Sequence, residues 1–197
     1  MAINSTANTI IAPTTNDSET ATIIGSALQN AYGADYWLAS YAVLNTTADA
    51  AKIVTGNLST GHSCGIVVLQ FRGSSTHTMD ITSAVNAGAY NGAGGVAICV
   101  PSTSATPGTC NSTFTPGTAG EAAILFGLLF TGNGDSYSAG TICGVGATLP
   151  TNGQTSDSFQ RMAGEYALNI GTSACTGTMN IGPAGFRPTA MVVTLKP

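Results

Sequence analysis

The sequence predicts an all-β protein, and three observations carry that reading. Short β-branched or aromatic runs recur along its 197 residues. Clusters of Gly, Asn, Pro, Ser and Thr separate those runs, as turns separate strands. Segments with helical periodicity are nearly absent. About eleven strands at this spacing indicate a sandwich or barrel, here in a single domain.

The strands are expected at "NTIIA" (8–12), "ATII" (21–24), "DYWLASYAVL" (35–44), "AKIVTG" (51–56) and "CGIVVLQFR" (64–72). More follow at "GVAICV" (95–100), "AAILFGLLF" (122–130), "SAGTICGVG" (138–146), "FQRMAGEYALNI" (159–170), "ACTGTMN" (174–180) and "TAMVVTLK" (189–196). Residues 19–33 offer a helical turn or two as an alternative, because Ala, Leu and Gln favour helix. The stretches 83–95 and 101–120 read as loops. Strands 122–130 and 189–196 are apolar at consecutive positions, so both faces of each need cover. Two coverings are open: a central place in the core, or a neighbouring subunit or crossing loop over an outer face.

Composition bounds the setting. Charged residues make up only 7% of the chain and hydrophobic ones 43%, against about a quarter charged in an ordinary soluble domain. Ser, Thr, Asn and Gly must therefore solvate the surface, which suits an extracellular or virion environment. Five basic against nine acidic residues leave no cationic cluster to neutralise phosphates, so nucleic acid is disfavoured as a partner. The longest apolar run, 122–130, is well short of the roughly 20 residues of a membrane helix, so no membrane insertion is expected. No basic segment followed by an apolar core opens the sequence, and no secretory leader is read from it.

The cysteines Cys64, Cys99, Cys110, Cys143 and Cys175 lack metal-binding spacing. Cys99 and Cys110 flank a loop-like stretch that a disulfide would close, and Cys143 with Cys175 would form a second bridge, leaving Cys64 odd. The alternative is five buried thiols acting as small hydrophobes.

No constellation assembles a catalytic or cofactor site. Ser74, Ser75, His77 and Asp80 crowd into one short stretch after a strand, whereas hydrolase triads draw their members from separate segments. His62 and His77 lie at opposite ends of strand 64–72, which argues against zinc. Asn133 and Asp135 suit a glycine-rich turn better than a calcium loop. Glu121 and Glu165 fall on or beside strands, but nothing in their spacing selects a glycosidase pair; Glu165 is expected to pair with Arg161 or Arg187, or to accept backbone hydrogen bonds. No catalytic, cofactor or metal residue is therefore assigned. Tyr90 and Tyr137, beside loops, are the candidate aromatics for stacking on a glycan, while Trp37 at mid-strand belongs to the core. Sequons place candidate glycosylation at Asn4, Asn16, Asn45, Asn57 and Asn111.

Two stretches carry a family resemblance. Residues 36–73 pass through an aromatic strand ending in Tyr41-Ala42, a polar turn, and a strand closing in Gln70, Phe71, Arg72 and Gly73. Residues 139–197 hold a Gly-rich strand, a polar loop, "AGEY", a small-residue strand and a terminal "VVTLK" strand. Together they resemble a loosely defined family of jelly-roll-like β-sandwich modules from secreted bacterial surface proteins and phage structural genes. Gln70 stands where that family has an acidic residue, and Ala7 where it has Gly. The resemblance implies a jelly-roll-like antiparallel β-sandwich of about 9–11 strands. It supplies no catalytic residues. The family's opening strands have no counterpart here, which implies a sheet edge open to a partner strand.

The expectation is a non-enzymatic structural subunit of an extracellular, cell-surface or virion assembly. It would self-associate through sheet edges or apolar outer faces, with strand 4–12 or 189–196 completing or covering a neighbour's sheet. Its partners would be further copies or other structural subunits. The alternative is an adhesive glycan-binding module using Tyr90 and Tyr137.

Overall fold

The computed structural model describes residues 2–4, 10–31, 34–44, 46, 51–58, 64–71, 84–87, 96–100, 113–130, 136–156, 160–182 and 186–197. All regular structure among them is β. In chain order the strands are β1 (Ala2–Asn4), β2 (Ile10–Thr15), β3 (Thr22–Ala31), β4 (Ala34–Ala42) and β5 (Val54–Leu58). Next come β6 (Cys64–Gly65), β7 (Ala84–Ala87), β8 (Val96–Val100), β9 (Glu121–Phe130) and β10 (Ser136–Ile142). The last are β11 (Val145–Gly146), β12 (Gln154–Ser156), β13 (Gln160–Ile170), β14 (Gly177–Gly182) and β15 (Phe186–Leu195). Ten of the fifteen have five residues or more, and the rest are short pairings.

A five-stranded antiparallel sheet, β12-β13-β9-β15-β7, forms the centre. Two of its three long strands, β9 and β15, are the ones the sequence marks as doubly apolar. On one face, alternate residues Ala123 and Leu125 (β9), Ala163 and Ala167 (β13) and Ala190 and Val192 (β15) are buried. They pack with Tyr137, Ile142, Met179 and Phe114, three of which belong to the four-stranded sheet β11-β10-β14-β8 or its hairpin. Four alanines on this face keep it flat, and larger side chains from the facing sheet fill the space.

The opposite face of the central sheet is buried as well, through Ile124, Leu128, Met162, Met191 and Val193. Its cover is the second four-stranded sheet, β3-β4-β1-β6, and the chain that follows β6. The Ser40 hydroxyl on β4 donates to Met191 Sδ. Gly65 lies over Met162, where an added Cβ would come within 3.4 Å of Sδ. Phe71 meets Tyr166 edge-on, with ring centroids 5.3 Å apart. The central strands are thus covered on both faces by their own chain, so their apolar character needs no second subunit.

Several further expectations change. The candidate helix at 19–33 is strand β3 over Thr22–Ala31. The loop expected at 83–95 contains β7, which pairs Ala84–Ala87 with Thr189–Val192. Expected strand 138–146 folds back at Cys143-Gly144, whose φ values of 55° and 75° belong to a two-residue hairpin turn. Of the expected donor strands, 189–196 falls in β15, between β9 and β7, while in 4–12 Asn4 ends β1, between β4 and β6, and Ile10–Ala12 begin β2, which pairs with β5 alone among the described strands.

The outer surface of β10 and β14 explains how so few charges suffice. Thr141 and Thr178 hydroxyls lie 3.2 Å apart, and Asn180 Nδ2 donates to the Ala139 carbonyl at 2.8 Å. Short polar side chains satisfy one another there and still face water.

Candidate functional site

The features with chemical potential are a buried carboxylate between two sheets, a disulfide, and the edges of one outer sheet that have no further partner among the described strands. Glu165 projects from β13 on the same face as Ala163 and Ala167 and is fully buried. Its Oε2 accepts the Gly140 N–H at 3.0 Å, while Oε1 has no partner among the described residues. Gly140 sits where the β10–β14 register shifts, and an added Cβ there would fall 1.9 Å from the Thr178 carbonyl oxygen. Only glycine lets the backbone come that close to its neighbour and still turn its N–H toward Glu165. Burial holds the Glu165 carboxyl up at about 7 against an ordinary 4.5, with the Gly140 hydrogen bond pulling the other way. The expected backbone hydrogen bond to Glu165 is present.

Glu121 is also fully buried, and its Oε1 accepts the Thr118 N–H at 2.7 Å, tying down the turn before β9. Glu165 lies opposite Leu125, four positions along β9 from Glu121. At about 3.3 Å per residue the two backbone positions stand about 13 Å apart along the strand, and the carboxylates bind different backbone amides, those of Thr118 and Gly140. Among the described residues no three His, Cys, Asp or Glu side chains gather as a metal would require.

Cys143 and Cys175 form a disulfide across 32 residues. It joins the β10–β11 turn to the segment before β14, where Phe114 and Cys175 exchange backbone hydrogen bonds at 2.9 and 2.8 Å. Cys110 lies outside the described residues, and with it the expected Cys99–Cys110 bridge.

Tyr137 requires a correction. It is 5% exposed, belongs to β10 and not to the preceding loop, and its hydroxyl donates to the Arg161 carbonyl at 3.2 Å. Its ring fills the inter-sheet core, where no sugar can stack on it. Tyr90, Ser74, Ser75, His77, Asp80, His62, Asn133 and Asp135 lie outside the described residues.

Of the sequons, Asn16 and Asn57 both serve the two-stranded sheet β2-β5. Asn16 Oδ1 accepts the Ile53 N–H at 2.9 Å, and Asn57 Nδ2 donates to the Ala12 carbonyl at 3.1 Å. Asn4 falls in β1 opposite Tyr36; Asn45 and Asn111 lie outside the described residues. Lys52 closes the same pair of strands by bonding Asp17 and, at 3.0 Å, Glu19. Those contacts raise the Lys52 ammonium above its ordinary range, with the Asp17 hydrogen bond the largest cause.

The edges of the sheet β3-β4-β1-β6 are the remaining feature. β3 spans ten residues and pairs only with β4 among the described strands. Its sequence, "TIIGSALQNA", contains no charged residue and no proline. At the other end, β6 pairs with β1 through Cys64 and Gly65 only. Sequence patterning does not reveal this shortness, because burial still alternates strand-like through Phe71 without a hydrogen-bonded neighbour among the described strands. No protein-family model, no curated protein and no solved structure matches the chain.

Proposed function

We propose that this protein is a non-enzymatic structural subunit of an extracellular or virion assembly, and that its copies join through sheet edges. The observation that carries the reading is β3, ten residues long at the edge of its sheet with no charge or proline. An exposed strand edge is a template for another strand, and monomeric proteins blunt theirs with Lys, Pro, bulges or short length. β3 has one register shift near its start, between Ile23 and Gly25, and otherwise none of these devices. The low charge of the chain, 7% Asp, Glu, Lys and Arg, supports the same reading, since little electrostatic repulsion opposes association. The Cys143–Cys175 disulfide agrees with an oxidising setting outside the cytosol.

Sedimentation velocity and negative-stain microscopy over a concentration series test this. The wild-type chain is expected to form large species. Ile23→Lys, at a position 54% exposed on β3, is expected to dissociate them with an unchanged circular dichroism spectrum. A wild-type chain that stays at 19.6 kDa throughout would overturn the proposal.

A further inference from the structure

β3 and β6 are the two ends of one sheet, in the order β3-β4-β1-β6, and every step along it is antiparallel. Three antiparallel steps make β6 run opposite to β3. A second copy that continues this sheet without being turned over presents its β3 in the same direction as the first copy's β3. That strand meets β6 antiparallel, as every other pair in the sheet does. An odd number of strands would have forced a parallel junction, the slightly less stable pairing.

The β6 end is prepared for such an addition. After Gly65 the chain continues as Ile66, Val67, Val68, Leu69, Gln70 and Phe71, uncharged and rich in β-branched residues. Residues 67, 69 and 71 are half-buried, and 66, 68 and 70 are exposed. The inward set is anchored on the central sheet. Leu69 crowds Gly164, whose added Cβ would meet Leu69 Cδ1 at 3.2 Å, and Phe71 packs on Tyr166. The outward set leaves Ile66 37% and Val68 55% exposed. β1 accompanies β6 only as far as Ala2 opposite Gly65, so 66–71 has no ladder partner among the described strands. The segment is held in place by its side chains and, among the described residues, lacks the backbone pairing that a strand ordinarily has.

We infer that residues 64–71 are the acceptor edge for β3 of a second copy, giving a head-to-tail contact that continues the sheet β3-β4-β1-β6 from one subunit into the next. The inference rests on the edge-mediated assembly proposed above and names the surface that β3 meets. Both edges are uncharged and proline-free, and the eight residues of 64–71 fit within the ten of β3. An eight-residue antiparallel pairing supplies roughly eight hydrogen bonds. The contact uses different surfaces on its two sides, so it propagates as a filament or closes as a ring and does not stop at a two-fold dimer.

Complementation between edge variants of the full chain tests this. Ile23→Lys disables the β3 edge and Val68→Lys the acceptor edge, both at exposed positions. Each variant alone is expected to sediment as a monomer, while an equimolar mixture forms a heterodimer through the one intact pair of edges. Independently of folding in the variants, hydrogen exchange of wild-type amides 66–70 is expected to slow at least tenfold on assembly. If Val68→Lys assembles as wild type does, or amides 66–70 exchange equally in monomer and assembly, the acceptor is wrong while edge-mediated assembly stands. A mixture of folded variants that stays monomeric likewise overturns the head-to-tail contact. A wild-type chain monomeric at all concentrations overturns both readings.

Discussion

Replacing Glu165 with Gln should flatten the response of folding stability to pH. The carboxyl is buried between two sheets and has one hydrogen bond, from Gly140, for its two oxygens. Burial favours its protonated form, so the folded-state value is about 7 against 4.5 for an ordinary glutamate. Below pH 4.5 the group is protonated in both folded and unfolded chains, and its contribution is fully present. Between 4.5 and about 7 the unfolded chain releases this proton more readily, and stability falls as pH rises. Above about 7 both states are ionised and the loss is complete. A difference of about 2.5 units at 1.36 kcal/mol per unit amounts to about 3.4 kcal/mol. The glutamine introduced by Glu165→Gln would be neutral at every pH and nearly isosteric. Urea unfolding of both proteins from pH 4 to 8.5 measures the effect, because other titrating groups cancel in the difference. The stability of wild type relative to the variant should fall by about 3 kcal/mol across that range. Curves that move in parallel with pH would refute the reasoning and mean that Glu165 is solvated or carries a compensating partner.

Other perturbations probe the packing around that contact. Gly140→Ala forces a methyl group onto the Thr178 carbonyl, where an added Cβ falls 1.9 Å from the oxygen, and should cost about 3 kcal/mol in urea unfolding. A cost below about 0.5 kcal/mol would mean that β10 and β14 separate easily there. Replacing both Cys143 and Cys175 with Ser opens a loop spanning 32 residues. Chain entropy puts its contribution at about 4 kcal/mol, read as a lower unfolding midpoint that reductant no longer shifts. Leu125→Ala empties a fully buried site between two sheets and should cost about 2–5 kcal/mol. A smaller loss would indicate that the alanine-lined face collapses around the gap.

Much of the β architecture is legible in the residues, and the exceptions have physical causes. The runs at 122–130 and 189–196 are so apolar that any folded state must bury them, and with 159–170 they form the three long central strands. Their double apolarity leaves two coverings open. The structure resolves them through long-range packing of β3, β4 and residues 65–71 on one face and β10, β11 and β14 on the other, which no local pattern encodes. β7 escapes a reading of the residues because "AVNA" carries little strand propensity and exists as a strand only through pairing with β15. Tyr137 reads as a loop residue because "GDSYSAG" is turn chemistry, while the strand begins one residue earlier, at Ser136. Glu165 is visible only as an acid on an apolar strand. Its significance depends on Gly140, 25 residues away on a facing sheet. The disulfide between Cys143 and Cys175 is among the pairings the sequence offers, although nothing local distinguishes it from a pairing of either with Cys64.

The most direct test of the central claim, assembly through an open β3 edge, is residue-resolved hydrogen exchange of Thr22–Ala31 at high and low protein concentration. Alternate amides of an edge strand face away from β4 and exchange freely in an isolated subunit. Assembly through this edge predicts that those amides become protected at high concentration, while the amides paired to β4 stay as they were. Alternate β3 amides that exchange equally fast in assembled and dilute protein would contradict the account.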